Sequence, residues 1–197
     1  AAVTFIAWLL AMGAGAEDYA AIWGGFIPLR VSEAASGITL APVALTPLTA
    51  TFVHSGFAHL FLNLLIFLFC GRPVETILGM RGLVILYLVG AYAAAAAHYL
   101  FNPASTVPMV GASGAISAVV GAYAMMFGRN RVKVANPTAA LWPNALWLAA
   151  AWIGLQLMVG LTFTTAGSRI AVMAHIRGFV VGLALAKPLL LLRYRRA

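Results

Sequence analysis

Long apolar runs separated by short polar connections dominate the sequence. Each run is continuously apolar and lacks period-two alternation, which predicts helices and excludes a barrel of amphipathic strands. Roughly 20 apolar residues in a helix span a bilayer, so the pattern predicts an all-α polytopic membrane protein. We expect one six-helix domain over residues 1–197, with spans at about 1–16, 56–71, 81–101, 112–128, 141–162 and 170–192.

Composition supports the same class. Hydrophobic residues make up 63% of the chain and charged residues 8%, and the mean hydropathy is +0.99. A soluble domain has about 25% charged residues, so this composition excludes a soluble globular domain. It also excludes a disordered chain, which needs low hydrophobicity and high charge. The single cysteine, Cys70, excludes internal disulfides and a cysteine metal cluster. The chain opens in an apolar run without Met or a basic region, so we expect a missing N-terminus and no signal peptide at 1–16.

The basic residues give the predicted spans an orientation. Nine of the twelve lie in or beside the even-numbered connections, or at and after the end of the last span. Only Arg30 and Arg169 lie in the odd-numbered connections, and Arg177 lies inside a span. By the positive-inside rule, both termini are cytoplasmic and the long 17–53 connection lies outside. The net charge of +8 is therefore that of a membrane protein's cytoplasmic loops, and nucleic acid is not an expected partner.

Polar residues inside spans are costly and usually face the protein interior. With this orientation, His59 and Asn63 lie in the outer half of the second span, and Ser113 lies at the outer end of the fourth. His175 lies roughly 8 Å below the outer end of the sixth span, at 1.5 Å per residue. Three spans thus bring a hydroxyl, two imidazoles and a carboxamide to a similar depth.

Ser113 lies between glycines at the start of a predicted helix, in Gly-Ala-Ser-Gly-Ala at 111–115. The glycines allow another backbone to approach, and free N–H groups at a helix start suit a developing oxyanion. A serine needs a base to act as a nucleophile, and His175 is the candidate. The alternative is that Ser113 only caps its helix.

Small residues form a stripe on each of the two helices that carry Ser113 and His175. Gly178 and Gly182 follow His175 at i+3 and i+7, and glycine faces of this kind allow close helix packing. The stripe on the fourth span consists of Ser113, Gly114, Ser117, Ala118 and Gly121. Packing of the two stripes would bring Ser113 against His175.

His59 and Asn63 are four residues apart and share a helix face. Both can donate hydrogen bonds to an oxyanion, and an interhelical polar contact is the alternative. The carboxylates lie elsewhere: Glu75 is at the cytoplasmic end of the second span, and the other three are in the 17–53 connection. The sequence therefore favours a Ser–His dyad over a triad.

These residues together resemble the rhomboid intramembrane serine proteases of the bacterial type. The resemblance covers 46–63 (TPLTATFVHSGFAHLFLN), Val74-Glu75 with Gly79, GASGA at 111–115, and Ala174-His175 with Gly178 and Gly182. It implies that Ser113 is the nucleophile and His175 the base. It also implies that His59, Asn63 and the Ser113 N–H form an oxyanion hole. No cofactor or metal is implied; the expected partners are transmembrane protein substrates and the bilayer, and the expected location is the bacterial inner (cell) membrane.

The sequence departs from the family's pattern at two positions near the dyad. Many members carry a tyrosine four residues after the serine, stacked on the histidine, where this chain has Ser117. Arg177 replaces a residue that is often small. It lies about 200° around the helix from His175, so its side chain is expected to snorkel towards the outer headgroups.

Two other functions fit parts of the pattern. A small transporter or channel could use its four histidines as a proton or metal path, although such a path would need more intramembrane carboxylates. A non-catalytic rhomboid-like protein could keep the helix frame and bind clients without cleaving them. Labelling by a serine-directed fluorophosphonate separates both from a protease.

Overall fold

The structure, a computed structural model, describes residues 1–33, 40–127, 150, 152 and 168–195. This part of the chain is helical and contains no strand; its one β-type pairing is an isolated antiparallel bridge between Phe26 and Met109. The prediction of an all-helical protein is confirmed over these residues. The helices are α1 (Ala2–Gly13), α2 (Glu17–Gly24), α3 (Thr46–Thr49), α4 (Phe57–Phe101), α5 (Ser113–Phe127) and α6 (Ser168–Tyr194).

Helix α4 is a hairpin of two arms rather than one straight rod. Gly79 interrupts it with φ 73° and ψ 168°, a backbone conformation that side-chain-bearing residues rarely adopt. Phe67 and Tyr87 would lie roughly 30 Å apart in a straight helix, yet their ring centroids are 5.7 Å apart. The chain therefore reverses at Gly79, and the two arms occupy the predicted second and third spans.

The hairpin turn at Gly79 is closed by the end of α6. The Arg193 guanidinium donates to the Glu75 carbonyl at 3.4 Å, and the Tyr194 hydroxyl donates to the Ile77 carbonyl at 3.3 Å. Both carbonyls belong to the last turn of the first arm, where backbone acceptors and the negative end of the helix dipole favour a cation. The end of α6 and the end of the first arm thus lie side by side.

Helix α5 is central, because most of its residues are buried between α4 and α6. A Cβ on Gly90 would meet Ala118, and one on Gly114 would meet Ala94, so the second arm of α4 runs antiparallel to α5. On the other side Gly178 lies against Gly114 and Gly182 against Ala118, so α6 runs parallel to α5.

The two small-residue stripes of α5 and α6 are in backbone contact. A Cβ on Gly182 would collide with the carbonyl oxygen, carbonyl carbon and Cα of Ala118. A Cβ on Gly121 would collide with the Phe179 carbonyl. Because backbone atoms cannot move aside as a flexible side chain can, only glycine permits this helix separation.

The outer faces of the bundle are apolar and exposed. Two helices, Phe57–Phe101 and Met173–Tyr194, are long and apolar enough to cross a membrane. Of an apolar stretch of 18 residues in each helix, only 39% and 33%, respectively, is buried inside the protein. The first and fourth predicted spans correspond to the shorter helices α1 and α5. The fifth predicted span, 141–162, lies almost entirely outside the described residues.

The long connection predicted at 17–53 has structure of its own. It contains α2, α3 and three short 3₁₀ turns at Pro28–Val31, Val43–Leu45 and Ala50–Phe52. Backbone bonds between Phe26 and Met109, at 2.8 and 3.0 Å, join it to the segment that precedes α5. The Gly111 N–H donates to the Ala50 carbonyl at 2.9 Å, which fixes the residue two positions before Ser113.

We predict that Gly182→Ala destabilises the protein, because the added methyl group forces α5 and α6 apart at the Ala118 backbone. Overpacking of this kind costs roughly 1–3 kcal/mol. Gly13→Ala is the matched control, since a Cβ on Gly13 meets nothing within 4 Å. Melting temperatures in one detergent should fall for Gly182→Ala and stay the same or rise slightly for Gly13→Ala; equal values would contradict the tight contact.

Candidate active site

Ser113 begins α5 directly after a turn that requires glycine. Gly111 has φ 105°, and a Cβ there would also collide with the His59 ring, 2.6 Å from Nε2 and Cε1. The Ile116 N–H donates to the Ala112 carbonyl at 2.9 Å and starts the helical ladder. The N–H groups of residues 113–115 therefore have no acceptor within the helix and form its positive end.

The Ser113 hydroxyl is hydrogen-bonded to His175. The Oγ to Nε2 distance is 2.6 Å, between residues 62 positions apart in the chain. With the ring proton on Nδ1, Nε2 accepts from the hydroxyl, which is the arrangement a general base needs. Among the described residues, Ser113 Oγ makes no capping bond to α5, and His175 Nδ1 has no hydrogen-bond partner.

The packing of α5 against α6 sets this distance. Gly178, one turn after His175, lies against the Gly114 carbonyl, and its Cβ would be 3.1 Å from Cβ of Ser117. The Ser117 hydroxyl donates to the Ser113 carbonyl at 2.7 Å, and Ser117 is fully buried. Where many relatives place a tyrosine, this chain has a small residue that fills the helix interface. Arg177 is exposed on the other side of α6.

A small cavity adjoins the hydroxyl and the imidazole. Its volume is about 30 Å³, which is close to the space of one water molecule in the liquid. Ser113 and His175 both line it, together with Thr51, Met109 and backbone of the Gly111 turn. The cavity thus has room for about one water molecule where the hydroxyl and the imidazole meet.

His59 lies beside the turn that leads into Ser113. Its ring packs on Gly111, and its Nδ1 is 3.1 Å from the Ser55 hydroxyl. When Ser55 donates to Nδ1, the ring proton is on Nε2, the nitrogen next to Gly111. The sequence analysis missed Ser55; its spacing of four residues before His59 is the signal that could have identified it.

Asn63 lies one turn further into α4 and does not line the small cavity. It is 5% exposed, and its Nδ2 donates to the His59 carbonyl at 2.8 Å. The amide oxygen has no partner among the described residues. The second N–H of the Asn63 amide remains for another acceptor. The structure thus brings Ser113 and His175 into direct contact and places His59 next to them. Asn63 lies behind His59.

The other two histidines lie apart from the hydroxyl. The His54 ring packs edge-on against His59 with centroids 5.0 Å apart, and the His98 ring packs against Phe26 at 6.3 Å. Among the described residues no three His, Cys, Asp or Glu side chains are grouped as metal ligands.

Comparison with known proteins places the chain in a family. The family model for the rhomboid domain matches residues 44–192. Rhomboid protease GlpG of Serratia proteamaculans is 31% identical over 137 residues, which cover 68% of this chain and 44% of that protein.

Two eukaryotic relatives show the same similarity over shorter shares of their length. Rhomboid-related protein 3 of Homo sapiens is 36% identical over 76 residues, 39% of this chain and 18% of the relative. RHOMBOID-like protein 1 of Arabidopsis thaliana is 29% identical over 137 residues, which cover 70% of this chain and 32% of that relative. The chain spans less than half the length of these relatives. Its match to the domain model, which covers Ser113, His175 and the helices that hold them, shows that the chain belongs to the rhomboid family, whose members are integral membrane proteins.

Proposed function

We propose that this chain is an intramembrane serine endopeptidase that cleaves transmembrane segments of membrane proteins with a Ser113–His175 dyad. The observation that carries the proposal is the 2.6 Å hydrogen bond between Ser113 Oγ and His175 Nε2. Its position at the start of a helix supports the proposal, because unpaired N–H groups there can bind an oxyanion. The names of the bacterial relatives, which are rhomboid proteases, point the same way.

Acylation uses the two side chains in sequence. Nε2 of His175 takes the hydroxyl proton while Oγ of Ser113 attacks the carbonyl carbon of the scissile peptide. The resulting imidazolium then gives this proton to the leaving amine nitrogen, the C–N bond breaks, and an acyl ester remains on Ser113. Water attacks that ester with His175 again as base, which releases the acid product and restores the serine.

The carbonyl oxygen becomes negative in the tetrahedral intermediate and needs donors. The Ser113 N–H has no acceptor within α5, and Nε2 of His59 lies at the adjoining Gly111 turn. Asn63 donates its second amide hydrogen to the oxyanion, or donates the first after its bond to the His59 carbonyl breaks. A buried set of fixed donors stabilises the charge strongly because little solvent reorganisation is needed.

The substrate must present an unwound segment to the dyad. In an intact helix the backbone carbonyls are hydrogen-bonded along the helix and shielded by side chains, so Oγ cannot reach them. Segments with helix-breaking residues near the cleavage site are therefore the expected substrates.

Six spans in one domain over residues 1–197, with both termini cytoplasmic, complete the proposal. Helices α5 and α6 are parallel neighbours, so the end of α5 and the start of α6 lie at opposite ends of the bundle. This supports a fifth span between them at about 141–162. The bacterial relatives support a location in the bacterial inner (cell) membrane.

We predict that Ser113→Ala and His175→Ala each abolish cleavage while the protein still folds, because each removes one partner of the dyad. Turnover of a transmembrane substrate in nanodiscs and labelling of Ser113 by a fluorophosphonate measure this. Cys70→Ala is the control, since Cys70 is a buried thiol in the first arm of α4 and should be dispensable. Retained turnover in purified Ser113→Ala would rule out Ser113 as the nucleophile. Wild-type protein that resists labelling would favour a non-catalytic member of the family.

Asn63→Ala should lower kcat with little change in KM, because the proposed hydrogen bond exists only in the transition state. Loss of one donor from an oxyanion hole lowers kcat by about 10²- to 10³-fold. Because several donors share the charge here, we expect a decrease of about 10- to 100-fold. Steady-state kinetics and the melting temperature are measured on one preparation. A lowered melting temperature with unchanged kcat would make Asn63 a packing residue instead.

Chelation should leave turnover unchanged, because the dyad uses no metal ion. Activity is compared before and after treatment with EDTA and after addition of single divalent cations. A reproducible loss that one cation restores would instead favour histidine ligands and a metal-dependent function.

A further inference from the structure

A second cavity lies between α1, α2 and residues 49–54. Its volume is about 230 Å³, and it shares no lining residue with the small cavity at Ser113. The peptidase proposal makes no use of this cavity.

The walls of the second cavity are mainly apolar. Ala7 and Ala11 of α1 and Ala20 of α2 line it, together with aromatic and aliphatic side chains of the neighbouring segments. An apolar cavity of roughly 150 Å³ stays dry in a protein and accepts an apolar ligand. The mainly apolar walls therefore suit a hydrocarbon chain, with the polar lining residues at part of the surface.

Two buried polar side chains that line the cavity have unpaired nitrogens. Trp8 is 6% exposed and His54 is 2% exposed. Trp8 Nε1 has no hydrogen-bond partner among the described residues. The His54 ring has at most one, the backbone of Phe52, so at least one of its two nitrogens is unpaired. Buried polar groups without partners cost free energy, so a ligand that bonds them gains affinity. The indole offers one donor, and a neutral imidazole offers one donor and one acceptor.

The charges around the cavity disfavour an anionic ligand. Burial, and secondly the nearby His59 ring, lower the pKa of His54 to about 4, while a contact with the Phe52 backbone acts in the opposite direction. His54 is thus neutral at physiological pH. Glu17, which is exposed, is the one charged residue among those that line the described cavity, and it would repel an anionic headgroup.

We propose that this cavity binds an uncharged acyl lipid. Its hydroxyl or ester oxygens bond to Trp8 and His54, and part of its chain packs against Ala7, Ala11 and Ala20. The bound lipid then lies one ring away from His59, because the His54 ring contacts the His59 ring. Binding does not depend on peptidase activity, so the two proposals fail separately.

The test uses a monoacylglycerol with a photoreactive diazirine in its chain, incorporated with the full chain into phosphatidylcholine nanodiscs. After irradiation, mass spectrometry should locate the label within residues 7–24 and 49–54. Unlabelled monoacylglycerol should compete for this labelling, and lysophosphatidic acid of the same chain, which adds only a phosphate, should compete poorly. Equal competition by the two would overturn the uncharged headgroup.

Two variants test the site itself. Ala11→Phe fills the cavity and should abolish the competed labelling, whereas Ala14→Phe, on an exposed residue just after α1, should leave it unchanged. Trp8→Phe keeps a ring and removes the donor, and it should weaken competition by monoacylglycerol. Melting temperatures verify folding. Labelling that persists in both Ala11→Phe and Trp8→Phe, or that spreads over the outer helix faces, would refute the site.

Discussion

The backbone contact between α5 and α6 is the constraint on which the rest of the structure depends. Gly182 against Ala118 and Gly121 against Phe179 leave no room for a single methyl group. Such contact fixes both the distance between the helices and their register, because the opposing backbone can come this close only where a glycine lies. The Ser113–His175 hydrogen bond follows from that register, because Gly178 contacts Gly114. His175 lies one helix turn before Gly178, and Ser113 directly precedes Gly114.

The same contact accounts for a site built with few polar residues. Ser117 is buried in the helix interface and bonds back to its own helix, so this position supplies no ring to hold the histidine. The orientation of the imidazole must then come from the fixed helix distance and from the serine hydroxyl. Backbone packing thus positions the imidazole, and it costs no side-chain entropy because glycine has no side chain to order.

Much of this arrangement could be predicted from the sequence, and the reason is specific. Small residues at i+3 and i+7 from His175, and a similar stripe that begins at Ser113, predict close packing of the two helices at one register. The reversal between the two arms of α4 lies in the connection predicted between 71 and 81, where Arg72, Glu75 and Arg81 interrupt the apolar runs. The sequence does not show that the chain turns at Gly79 itself, because that residue is marked only by its backbone conformation. The bonds of Asn63 and Ser55 were also missed, because rotamers depend on neighbours distant in the chain.

The separation of 62 residues between the two members of the proposed dyad has a consequence for biosynthesis. A ribosome that adds roughly 5–20 residues per second needs about 3–12 s to proceed from Ser113 to His175. The whole of α5 is made early in that interval. Until α6 follows, the stripe of small residues on α5 lacks the helix that packs against it. Under the proposed mechanism, a nascent chain carries a serine hydroxyl without its base, and hydrolysis can begin only after α6 has docked.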